Sequence, residues 1–140
     1  MRARRSLLLP AVALTLLLAG PARAFDAAPH ADEEVIEVVT TDEDGSARTT
    51  KVWIVVVDGD AYIRTGNTRW GRNVERDPDV RILTATGADD LRVELVTDEA
   101  ARAPVVEAFR AKYGWSDRLM SPLRGRNPKI MRLVERTSEE

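Results

Sequence analysis

The sequence contains no cysteine and a single histidine, His30. Without cysteine the chain reaches stability with no disulfide, and it has no lipid-bearing cysteine of the lipoprotein kind. One histidine with no thiolate does not supply the ligands of a zinc or transition-metal centre, so no metal site is expected. A Ser-His-Asp hydrolase is excluded on the same ground, because Ser46, Ser116, Ser121 and Ser138 have no histidine near them in sequence. Aromatic residues are few: three Trp, two Tyr and two Phe. Excess positive charge is also missing, with 21 Lys and Arg against 23 Asp and Glu, which argues against a general nucleic-acid binder. No apolar run reaches the roughly 20 residues that a membrane-spanning helix needs.

What the N-terminus does have is an export pattern. Arg2, Arg4 and Arg5 precede an apolar run from Leu7 to Ala19, Gly20-Pro21 breaks it, and Ala22-Arg23-Ala24 has the A-x-A form of a cleavage site. Residues 1–24 are therefore expected to be a signal peptide cut before Phe25, leaving an exported protein, periplasmic or secreted, with no stable membrane anchor. Arg4-Arg5-Ser6-Leu7-Leu8 is compatible with twin-arginine export of a folded protein and equally with an ordinary secretory n-region. Cleavage removes four arginines, so the remaining charge is 17 against 23, or about −6.

Residues 25–33 are small, polar and Pro-containing, and are expected to form a flexible leader with His30 solvated. Residues 34–137 then carry strand signals at short intervals. Val35 to Val39 is β-rich and ends at an Asp-Gly turn, and Thr49 to Val57 is dense in β-branched residues. Asp58-Gly59 turns the chain into Ala61 to Thr65, completing a meander. Asn67 or Thr68 is placed to cap a short helix that Asp77-Pro78 ends. Val80 to Thr86 is a fourth strand, Gly87-Ala88-Asp89 a turn, and Leu91, Val93 and Leu95 alternate with polar residues as a fifth. Val105, Phe109 and Tyr113 fall four apart, the stripe of a helix with Pro104 at its first position and Gly114 at its stop. Trp115 to Pro128 reads as a polar loop and Ile130 to Arg136 as the last strand. The fold expected is mainly β (α+β), a small six-stranded antiparallel barrel with one longer and one short helix.

One segment concentrates chemistry. Arg64, Thr65, Asn67, Thr68, Arg69, Arg72 and Asn73 place guanidinium groups, hydroxyls and amides at a strand end that leads into a helix. A phosphate group needs such donors, and a helix N-terminus adds backbone N–H groups. The competing reading is a surface loop whose arginines pair with nearby carboxylates. Trp70 and Trp115 lie in polar contexts where an indole packs against a planar ring, a partner subunit or the barrel end. Lys112 is a further candidate for the anion site, or a complement to the helix C-terminal dipole. No catalytic residue can be assigned, since Asp42, Asp44, Asp58 and Asp60 lie in turns. If the protein is an enzyme, a bound cofactor must do the chemistry.

The order T-x-V-W-I-V-V-V-D-G-x-x-Y-I-R-T-G, then R-W-G-R-N-x-x-x-D-P-x-V, then A-x-R-x-K-Y-G resembles the pyridoxamine-phosphate-oxidase-like, FMN-binding split β-barrel superfamily. Within it the chain is most similar to a branch of small proteins of deazaflavin- and nitroreductase-type. The resemblance spans roughly residues 35 to 136. It implies a split barrel that forms a homodimer, with FMN or a deazaflavin at the subunit interface and a small organic molecule as substrate; some members carry no cofactor. Position by position, Arg64, Thr65, Trp70, Arg72 and Asn73 fall in the implied phosphate region. The lysine that many relatives carry after the third strand is absent, with Arg69 or Arg72 as substitutes. The alternative function is a non-enzymatic exported barrel that binds a small ligand or a protein partner.

Overall fold

A computed structural model describes residues 25–124 and 127–137; the expected signal segment, 1–24, lies outside them. Six strands, β1 (Val35–Thr41), β2 (Ala47–Val57), β3 (Asp60–Thr65), β4 (Asp79–Thr84), β5 (Gly87–Val96) and β6 (Lys129–Glu135), close into an antiparallel barrel in the order β1-β2-β3-β6-β5-β4. Two helices accompany them, α1 (Arg69–Arg76) after β3 and α2 (Glu99–Arg124) before β6. Among the described residues no helix is long and apolar enough to cross a membrane.

Alternation along each strand builds two separate cores. Ile36 and Val38, Val52 and Ile54, Ala61 and Ile63, Val80 and Ile82, Leu91 and Val93, and Met131 and Leu133 point inward and fill the barrel. On the outer face of β2, β3 and β6, Val55 and Ile130 pack beneath the α2 stripe, with Val105 and Phe109 fully buried. The four-residue spacing read from sequence is thus the contact face of α2. Trp53 stacks on Tyr113 at 4.2 Å between centroids in this second layer.

Several boundaries differ from the sequence expectation. The β4–β5 turn is Ala85-Thr86: Thr84 pairs with Gly87, and Asp89 and Asp90 belong to β5. Arg81 holds Asp90 across the ladder at 2.8 Å, so this outward-facing acid, which resembles a turn residue, is a strand residue stabilised by a cross-strand pair. Helix α2 begins at Glu99, where the Asp98 carboxylate accepts the Ala101 N–H at 3.0 Å; that cap starts the helix ahead of Pro104. Gly114 does end the first arm, with φ 53° and ψ −127°, a conformation that suits glycine. The chain then re-enters helix as far as Arg124, so the expected loop is largely a second helical arm, on which Trp115, Ser116, Arg118 and Leu119 are exposed.

Each end of the barrel carries a covering element, and at the α1 end the cover is partial. Helix α1 covers the end formed by the last residues of β1 and β3. At the opposite end Ala28–His30 forms a 3-10 turn, with Ala27 in the barrel core and Phe25 packed against it. His30 is buried, not solvated: its Nδ1 lies 2.8 Å from Glu33 Oε1 and its ring stacks on Phe25. The Glu33 carboxylate also accepts the Ala85 N–H. A short apolar pair in a polar segment carries no periodicity, which is why sequence alone reads it as a leader.

Candidate functional site

The segment from Arg64 to Asn73 runs off the end of β3 and through the first turns of α1. Thr68 caps the helix, its Oγ1 accepting the Gly71 N–H at 3.1 Å and lying 2.5 Å from Thr65 Oγ1. Gly71 is required by this closeness: a Cβ there would sit 2.8 Å from Thr65 Cγ2 and 3.0 Å from Thr68 Oγ1. The turn is therefore fixed, and what it presents depends on which way each side chain leaves the helix.

Those side chains do not converge. Trp70 is buried in the barrel core, because with Val74 it forms the inward stripe of α1. Asn73 is also buried; its Nδ2 donates to Thr40 Oγ1 at 3.0 Å and to Asp42 Oδ1 at 2.7 Å, tying α1 to β1. Arg64 leaves the opposite face of β3, with its guanidinium 4.0 Å above the Phe109 ring beneath α2. Thr65 is buried in the capping turn. Arg69 and Arg72 remain at the surface, Arg69 with 62% of its side chain exposed. The first turn of the helix carries no acidic residue of its own, and the acid beside it is Asp42, which reaches Arg69 from outside the helix.

Asp42 organises the surroundings, a role that its place in a turn does not reveal. Arg48 binds it bidentately, Nε to Oδ1 at 2.9 Å and Nη2 to Oδ2 at 3.0 Å, and Arg69 Nε lies 3.4 Å from Oδ1. The Arg48 and Asn73 hydrogen bonds hold its carboxyl down to about 2. Arg72 is oriented by Asn67, whose Oδ1 accepts from Nη1 at 3.0 Å.

The other candidates sit elsewhere. Lys112 Nζ donates to the carbonyls of Glu33 and Ile54, so it clasps α2 to β2 and the N-terminal turn. Burial lowers its pKa. Beside it the Tyr113 hydroxyl accepts the Ile54 N–H at 3.0 Å and lies 2.8 Å from the carbonyls of Glu34 and Ile54; burial pushes it up to about 12. Trp115, on the second arm of α2, is 71% exposed and is an indole open to a ligand or partner. A cavity of about 260 Å³ lies between α1 and strands β5 and β6, with Glu75 and Lys129 paired at 2.5 Å on its lining. Neither residue is marked by a sequence motif; Lys129 is placed there by the inward parity of β6.

No curated protein matches the chain in sequence. Solved structures share its fold, and they are split-barrel proteins. HutZ, a heme storage protein from Vibrio cholerae, is 16% identical, with a TM-score of 0.62 over 76% of this chain and 84% of that one. An F420-H2 dependent reductase, FDR-A, is 15% identical, with a TM-score of 0.60 over 72% and 94%. A FAD-binding protein from Mesorhizobium loti is 13% identical, with a TM-score of 0.56 over 76% and 84%. At these identities the likeness is one of fold. In sequence, residues 28–132 match a bacterial family directly, and the chain belongs to it: the family described as "Uncharacterized protein conserved in bacteria (DUF2255)".

Proposed function

We propose that this is an exported split-barrel protein that binds FMN or a deazaflavin and uses it to reduce a small organic molecule. The observation that carries the reading is the donor set at the N-terminus of α1. Arg69 and Arg72 are one helical turn apart, both exposed, with no acid in that turn. The donor chemistry fits a phosphate: two guanidinium groups with fixed fork geometry, supported by helix N–H groups. Of the residues expected to form the phosphate site, Arg69 and Arg72 would hold it. Asn67 and Asp42 orient those two guanidiniums, while Thr65, Thr68 and Gly71 set the turn. Asn73, Trp70 and Arg64 are assigned to the scaffold. Trp115 offers an indole face for a planar ring, and with the 61% exposed Leu119 it gives α2 an apolar surface suited to a second subunit. A bound flavin would supply the hydride chemistry.

A second reading, a barrel without cofactor that binds a small ligand or protein, is favoured by the same turn. Thr65 and Thr68 satisfy each other and Arg69 already has Asp42. The absorption spectrum of the protein purified from its native exporting host separates the two. A flavin or deazaflavin band supports the first reading, and its loss in the double variant R69A/R72A, at an unchanged urea midpoint, ties the cofactor to this turn. A colourless protein that takes up neither FMN nor a deazaflavin overturns it.

A further inference from the structure

The barrel interior is not fully covered at the α1 end. Antiparallel partners share a face, so the pairs Ala61–Leu133, Ile63–Met131, Val93–Leu133 and Leu95–Met131 define one inward row. All of these are buried except Leu95, which is 51% exposed. An inward-facing leucine half open to water means that the plug stops short. Helix α1 lies against β1 through Asn73 and fills the core with Trp70 and Val74, leaving the β5–β6 side of the opening unroofed. The cavity of about 260 Å³ occupies that gap, walled by Val74, Pro78, Val93, Leu95 and Met131.

We propose that this uncovered barrel mouth is a binding site for a neutral, single-ring apolar molecule. Size supports the class, since an apolar cavity of roughly 150 Å³ already holds a benzene-sized guest. Charge narrows it. Glu75 and Lys129 are the charged residues of the lining, and they satisfy each other at 2.5 Å. A ligand carboxylate would have to displace Glu75 from Lys129, and a ligand amine would have to displace Lys129 from Glu75. A neutral ring leaves the pair intact and covers Leu95 and Met131, whose thioether adapts to irregular shapes. The site stands apart from the flavin reading, which rests on Arg69 and Arg72.

The test is a methyl-detected NMR titration of the purified protein with three probes of one shape: toluene, benzoate and benzylamine. Toluene gives saturable shifts at Val74, Val93, Leu95 and Met131, and binds at least tenfold more tightly than either charged probe. L95K, which places an amine on the open lip, weakens toluene at least tenfold while the methyls of Ile36 and Ile82 keep their positions. K129M, which breaks the ion pair without closing the mouth, retains toluene; this arm does not depend on L95K folding. Shifts that fail to saturate, shifts centred on Val105 and Ile130 instead, equal affinity for a charged probe, or loss of toluene binding in K129M overturns the proposal. Loss of toluene binding leaves the flavin spectrum untouched, so the two readings fail separately.

Discussion

Replacing Asn73 by Ala separates a scaffold role from a cofactor role at one residue. Asn73 is 2% exposed, and its side-chain amide donates to Thr40 Oγ1 and Asp42 Oδ1. A neutral buried hydrogen bond contributes about 1 kcal/mol and one to a carboxylate about 2 kcal/mol. Alanine returns about 0.5 kcal/mol through its better helix propensity, so the net loss is about 2.5 kcal/mol. For a domain of this size that corresponds to a fall in Tm of roughly 10 °C. Urea denaturation followed by tryptophan fluorescence reads it, because Trp70 is buried on the same helix. Under folding conditions the affinity for added FMN is expected to match that of the unaltered chain. An unchanged midpoint combined with lost flavin binding would refute the reasoning and return Asn73 to the cofactor site.

Gly71→Ala forces its new Cβ into Thr65 Cγ2 at 2.8 Å and Thr68 Oγ1 at 3.0 Å, and is expected to destabilise by about 1–3 kcal/mol, read as a lower urea midpoint. Phe109→Ala empties the centre of the outer core, where Phe109 is fully buried beneath the Arg64 guanidinium. It should cost about 3–5 kcal/mol and increase acrylamide quenching of Trp53. The Asp42 carboxyl titrates near 2 in the fold against an ordinary value of 3.8. Between those values the unfolded chain binds more protons, so this contribution is full above about pH 4 and is lost as the pH falls towards 2. D42N should remove that acid-side slope, and an unchanged slope in D42N would contradict the assignment.

Sequence by itself determined much of the barrel. β-branched runs broken by Asp-Gly turns encode strands and hairpins through local backbone preference, and the Val105, Phe109, Tyr113 spacing encodes the buried face of α2. Thr68 as helix cap is local too. These features depend on residues within a few positions of one another, which a linear reading sees. The fate of the chemical residues was decided by tertiary structure. Arg64, Thr65, Arg69, Trp70, Arg72 and Asn73 are neighbours in sequence, yet strand parity and the helical turn send them in different directions: Arg64 beneath α2, Trp70 into the barrel, Asn73 onto Asp42, Arg69 and Arg72 to the surface. His30 is buried at the barrel end against Phe25 and Glu33, and Glu33 also accepts the Ala85 N–H from a turn more than fifty residues away, a neighbour that only the closed barrel supplies. The open mouth has no sequence signature, since it exists where an eight-residue helix is too short to roof a six-stranded barrel, a mismatch set only when the strands close.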